Sequence, residues 1–236
     1  MIEDIEKYKA GYAIGIRYRK TFMIADNLGA ITDEILQSKK SKFGCNVFPY
    51  IQHLTKEEDS LYDLETDNRL NIGVSNIVLD IKDPKKLSLE DGIEGYKTTI
   101  IDNIMPSFSI GYIQRIGYIK RYIVKEKEII SNFVKSTVGK GFSDVNDVNL
   151  QFSKRIPIGL SIAKQGIENY HNVIINIIKK NNLDEIFVSV DFQLYYSPMI
   201  QTSKQIEFDS FIQTAENYIK GTVLNYLNNS YGDFNE

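Results

Sequence analysis

The sequence predicts an α+β fold, a mainly antiparallel sheet with packed helices, and three observations predict it. Ile186, Val188, Val190, Phe192, Leu194 and Tyr196 alternate with Ser189, Asp191 and Gln193, the period of a strand. Ile24, Leu28, Ile31 and Ile35 step by four, three and four, the period of a helix face. NIGVSNIVLDI reads as two short strands joined by a tight turn at Ser75-Asn76.

Taken in order, Tyr12, Ile14, Ile16 and Tyr18 alternate with Ala13, Gly15, Arg17 and Arg19, which predicts a first strand. The helix of Ile24 to Ile35 follows and closes in SKKSKFG. KEEDSLYDLETDN, residues 56–68, crowds six acids together and reads as an exposed loop before the hairpin. Ser88 is placed to cap a helix, with Asp91 as box partner, whose apolar positions are Leu89, Ile93, Tyr96, Ile100 and Ile104 and which Pro106 stops. SIGYIQRIGYIKRYIV, residues 109–124, then alternates as a strand. The first half therefore reads βαββαβ, the order of a ferredoxin-like unit.

A short helix over Glu126–Val138 leads into VGKGFSD, whose glycines mark the best internal boundary, dividing 1–138 from 139–236 unless the two form one continuous domain. Beyond it Val148, Leu150 and Phe152, then Ile156, Ile158, Leu160 and Ile162, alternate as strands. NVIINIIKK fits a strand by its β-branched content and two helical turns by its length. Phe208, Phe211, Ile212, Ala215, Ile219, Val223 and Tyr226 form the apolar stripe of a long helix that closes the chain against the sheet.

Composition limits the chemistry. Of 236 residues, 42% are hydrophobic and 25% charged, enough to bury a core without metal or disulfide props. With 28 basic and 31 acidic residues the formal charge is -3, which excludes the global positive field of a protein that simply coats nucleic acid and leaves only a local basic stripe. Cys45 is the single cysteine, so no intrachain disulfide forms and no cysteine cage holds a metal. The acidic, mixed MIEDIEKYKAGYAIG does not read as a secretory leader, and no apolar run approaches about 18 residues, so a cytoplasmic location off the membrane is expected.

Catalytic patterns are not evident. His53 and His171 are the only histidines and share no metal-ligand spacing. GKGFSD lacks the spacing of a phosphate loop, and the acids Glu57, Glu58, Asp59, Asp63, Glu65 and Asp67 lack the alternation of a calcium loop. No metal or cofactor is expected, and an enzyme is the less favoured class.

One stretch says nearly the same thing twice: Ile110-Gly111-Tyr112-Ile113-Gln114-Arg115, then Ile116-Gly117-Tyr118-Ile119-Lys120-Arg121. Because the repeat is six residues long, both copies present the same residues to the same sheet faces. One face carries Gly111, Ile113, Arg115, Gly117, Ile119, Arg121 and Ile123. The other carries Tyr112, Gln114, Tyr118, Lys120 and Tyr122, tyrosines interleaved with bases, which suits stacking of nucleobases and holding of phosphate. Tyr112, Arg115, Tyr118, Lys120 and Arg121 are the candidate binding residues. The plainer reading of the same residues is structural, since strands favour Tyr and Ile.

The order of elements from Asn68 onward resembles a family of sporadically distributed, functionally uncharacterised prokaryotic proteins of similar length. Its members carry an RIGLRYIN-like strand in mid-chain and a DxDxF-like strand before a long helix. Arg115-Ile116-Gly117 matches the start of the first motif and Val190-Asp191-Phe192 corresponds to the second, while Ile119 and Tyr122 stand where the family tends to have arginine and asparagine. The resemblance implies no activity or cofactor, and its scattered distribution implies a mobile or defence-associated setting.

The expected function is that of a non-enzymatic interaction protein, in a defence or toxin-antitoxin-like cassette, whose partner is another protein. The alternative is single-stranded nucleic-acid binding through the tyrosine and basic positions above. Self-association into a homo-oligomer is compatible with either.

Overall fold

A computed structural model describes residues 5–37, 41–138, 147–158, 169–179 and 185–223. Its strands are β1 (Lys9–Tyr18), β2 (Tyr50–Thr55), β3 (Glu58–Tyr62), β4 (Arg69–Gly73), β5 (Asn76–Ile81), β6 (Gly111–Val124), β7 (Val148–Pro157), β8 (Tyr170–Lys179) and β9 (Ile186–Thr202). They form one nine-stranded sheet in the order β2-β3-β4-β5-β1-β6-β9-β8-β7, with every neighbouring pair antiparallel. The α+β class follows.

The helices are α1 (Met23–Gln37), α2 (Leu89–Gly95), α4 (Lys127–Val138) and α5 (Phe208–Tyr218). The helix begun by α2 loosens into a π-helical stretch, Tyr96–Ile104, and ends in the single turn α3 (Met105–Ser107), one residue past Pro106. Ser88 caps it as expected: its hydroxyl oxygen accepts from the Asp91 amide at 3.1 Å, and its O–H donates to the Asp91 carboxylate at 2.6 Å. α5 likewise continues into a π-helical turn, Ile219–Val223. No described helix is long and apolar enough to cross a membrane.

These helices bury one face of the sheet. Tyr12, Ile14, Ile16 and Tyr18 are almost wholly buried, and so are their neighbours on that face, Ile77, Leu79 and Ile81 on β5 and Ile116 and Tyr118 on β6. The Tyr12 hydroxyl donates to the carbonyls of Leu87 and Ser88 at 3.1 and 2.7 Å, pinning the start of α2 to β1. Tyr96 donates to the Ile77 carbonyl at 2.7 Å and stacks on Phe208, which ties the π-helical stretch to β5 and α5. Phe211 packs on Phe192, and the α5 stripe of Phe208, Phe211, Ile212 and Ala215 is buried together with Ile219. Tyr226, expected at the end of that stripe, lies outside the described residues, as do Leu160 and Ile162.

Two expectations change, and one left open is decided. Residues 56–68 are not one exposed loop: Glu58–Tyr62 is β3, 63–68 form the connection to β4, and Asp59 and Asp63 are buried, Asp59 bonded to His53 and Asp63 to Lys86. A paired carboxylate can enter a sheet that the same carboxylate unpaired would not. Four strands therefore separate α1 from α2, so the expected βαββαβ order is enlarged by the β2–β3 hairpin. NVIINIIKK is a strand over the residues that β8 covers, its alternate residues Val173, Ile175 and Ile177 buried. The proposed boundary at 139–146 lies outside the described residues, and β6 and β9 from either side of it are hydrogen-bonded neighbours.

Candidate binding surface on the second sheet face

Period-two alternation that sends Tyr12 and Tyr118 into the core sends their neighbours to the opposite face. There the side chains of β5, β6, β8 and β9 remain part-exposed. At its centre is a half-open trough of about 300 Å³, lined among others by Gly15, Arg17, Asn76, Arg115, Gly117 and Asp191.

The trough exists because of a mirrored triplet. Gly15-Ile16-Arg17 on β1 runs antiparallel to Arg115-Ile116-Gly117 on β6, so Gly15 faces Gly117, Ile16 faces Ile116 and Arg17 faces Arg115. The isoleucines enter the core. The paired glycines leave a floor without side chains, and the paired arginines stand at one end of it. A Cβ added at Gly117 would find only Asp191 Oδ1 at 3.8 Å and Gln193 Cγ at 3.9 Å, ordinary contact distances. Gly111, by contrast, would drive a Cβ to 2.3 Å from the Gln201 carbonyl oxygen. Packing therefore demands glycine at 111 and does not demand it at 117.

Charge in the trough is unevenly satisfied. Arg17 is exposed, and its guanidinium makes no hydrogen bond or ion pair among the described residues. Arg115 donates to the Tyr195 hydroxyl at 3.0 Å and lies over that ring. Asp191 is held above its ordinary pKa by burial, against the opposing hydrogen bond from Gln193 and the charge of Arg115. Asn172 donates in turn to the Gln193 side-chain oxygen at 3.3 Å.

From Arg115 a row of stacked groups crosses four strands. Its guanidinium lies over Tyr195, Tyr195 stacks on Tyr170 with centroids 4.9 Å apart, and Arg155 lies 4.9 Å over Tyr170. Two residues beyond Arg17, where the chain leaves β1, Arg19 lies over the ring of Tyr112, which is half exposed. One end of this face thus collects Arg17, Arg19, Arg115 and Arg155 in a chain of formal charge -3.

The sequence-predicted residues divide between the two faces. Arg115 lines the trough, and Tyr112 is half exposed beneath Arg19 and does not line it. Arg121 lies on the same face as Arg115 but is ion-paired to Asp80. Tyr118 and Lys120 are not on a surface at all, with 0% and 1% exposure. Lys120 bonds Glu216 at 2.8 Å and Glu6 at 3.0 Å, and Tyr118 donates to Glu216 at 2.6 Å. Burial and the Glu216 charge push the Tyr118 hydroxyl far above its ordinary pKa. Burial also raises Glu216, but its bonds from Lys120 and Tyr118 outweigh this and leave it below the usual carboxylate range. Two of the five candidates are therefore core residues that anchor α5.

Gly15, Arg17, Gln193, Tyr170, Tyr195 and Arg155 are not among the candidates that the sequence offers, and Asp191 enters there only through the Val190-Asp191-Phe192 motif. The signal for the first two was present, since GIR and RIG are the same triplet reversed, which antiparallel pairing superposes. The histidines fall elsewhere. His53 Nδ1 lies 2.8 Å from buried Asp59 on the exposed hairpin, and His171 lies in a groove beside α5 with Glu207 and Ser210. Among the described residues no group of acids, histidines and cysteine gathers as a metal site. No family model, curated protein or solved structure matches this chain.

Proposed function

We propose that this chain is a non-enzymatic interaction protein whose second sheet face receives an acidic segment of a partner protein. The observation that carries this reading is the Arg17–Arg115 pair. Like charges directly opposite on a sheet repel, and neither guanidinium has a carboxylate bonded to it among the described residues. A carboxylate of a partner seated over Gly15 and Gly117 would meet both forks at once, the geometry arginine favours. Asn76 and Gln193 line the same trough and supply further polar contacts to a peptide.

The second reading, single-stranded nucleic acid, is favoured by the half-exposed Tyr112 beside Arg19. It is weaker on the row itself, because Tyr170 and Tyr195 already have both ring faces occupied by each other and by Arg155 and Arg115. Of the six positions on which the family resemblance rests, Arg115, Gly117 and Asp191 line the trough, which makes it the surface to test first. The order β4-β5-β1-β6 around α1 and α2 supports reading the N-terminal half as a ferredoxin-like unit carrying an extra hairpin.

Fluorescence anisotropy with a labelled glutamate-rich peptide and a labelled oligothymidine, each at two salt concentrations, tests the proposal. The peptide is expected to bind, and Arg17→Gln to weaken it about tenfold. Tight oligothymidine binding that falls steeply with salt would transfer the surface to nucleic acid. If neither probe binds, the trough is not an anion-recognition surface.

A further inference from the structure

The two outer strands of the sheet are built differently. β7 carries Lys154, Arg155 and Pro157, devices that blunt an edge against pairing. β2, YIQHLT, carries no acid, lysine, arginine or proline, and all six of its residues are exposed. Tyr50 and Ile51 are each 46% exposed and Leu54 39%. An uncharged edge with three large apolar side chains in water is a template for another strand.

We propose that the chain forms a two-fold dimer by antiparallel pairing of β2 with β2 of a second copy, an inference independent of the reading of the trough. A two-fold axis normal to the sheet pairs residues of like parity, so that each side chain meets one on its own face. Centring the axis on Gln52 sets Tyr50 opposite Leu54, Gln52 opposite itself and Ile51 opposite His53. Large apolar groups then stand opposite each other at both ends of the pairing, around a central pair of amides. No like charges are brought together, whereas β7 paired with itself would crowd Lys154 and Arg155 against their copies. The irregularity in β2 falls between His53 and Thr55, at Leu54, so the regular part of the pairing is Ile51 with His53 and Gln52 with itself, and the Tyr50–Leu54 contacts stand at its margin. The product is a continuous sheet of twice nine strands, with both troughs on the same side.

Sedimentation of the full chain over a concentration series, with disulfide trapping, tests this. The wild-type chain is expected at twice its monomer mass, with Leu54→Lys weakening association at least about tenfold at unchanged thermal midpoint. In a Cys45→Ser background, which removes the exposed native thiol, Gln52→Cys is expected to cross-link on oxidation and His53→Cys is not. A monomer at every concentration overturns the proposal. So does a dimer that Leu54→Lys leaves intact and Gln52→Cys fails to trap, because association then uses another surface.

Discussion

Arg17 and Arg115 stand directly opposite each other on β1 and β6, at one end of a floor formed by Gly15 and Gly117. A folded protein gains nothing from that juxtaposition on its own. Replacing Arg17 with Gln should therefore leave stability unchanged or raise it by about 0.2–1 kcal/mol, the scale of a cross-strand charge pair. Binding of the acidic peptide should fall in the same variant. Urea denaturation beside anisotropy measures both, and a variant that loses stability would show that Arg17 serves the fold instead.

Gly117→Ala is the sharper probe of the floor. An added methyl meets nothing closer than 3.8 Å, and alanine costs less conformational entropy than glycine, so stability should hold or rise by up to about 1 kcal/mol. The trough should nevertheless lose its ligand. Unchanged peptide affinity would mean that the occupant does not reach the floor.

Asp191 has its pKa raised, chiefly by burial. For an acid, a folded pKa above the unfolded one means stability that is present below the ordinary aspartate value and lost as pH rises through the folded pKa. Asp191→Asn should accordingly be more stable than wild type at neutral pH, with the difference vanishing in acid. Thermal midpoints across pH 3 to 8 report it, as an approximate window around the ordinary carboxyl value.

Glu216 behaves in the opposite sense. Its bonds from Lys120 and Tyr118 hold it below the usual range, so its contribution is present above the ordinary glutamate value and is lost as pH falls through the folded pKa. Glu216→Gln should flatten the acid limb of the stability profile. Lys120→Met, which leaves Glu216 without its buried cation, should cost about 3–5 kcal/mol at neutral pH. Loss of less than about 1 kcal/mol there would show that water replaces the ammonium group.

Phe211, 3% exposed, packs on Phe192 beneath α5. Truncation to Ala should cost about 3–5 kcal/mol, a large part of a domain's usual stability of about 5–15 kcal/mol. A thermal midpoint that stays in place would mean that α5 is a docking element and not part of the core.

Periodicity alone located β1, β6, β9, the helix faces of α1 and α5 and the cap at Ser88, because each depends on spacings within one segment. It sorted the second copy of the β6 repeat into its two faces, Arg115 and Gly117 on one and Tyr118 and Lys120 on the other, but not the first: an irregularity between Ile113 and Arg115 reverses the alternation, so Ile113 enters the core and Tyr112 stays half exposed. Period two does not say which face is inside. That choice depends on where the helices land, and Lys120 is buried because Glu216, 96 positions away, and Glu6, 114 away, neutralise it there. β3 escaped detection for a related reason: Asp59 breaks the apolar pattern, and only its cross-strand partner His53 makes its burial tolerable, while β2, exposed at all six residues, shows no apolar alternation to detect. The trough draws on β1, β5, β6 and β9, so its arginines, glycines and carboxylate became one site only when sheet pairing brought residues 15, 117 and 191 together.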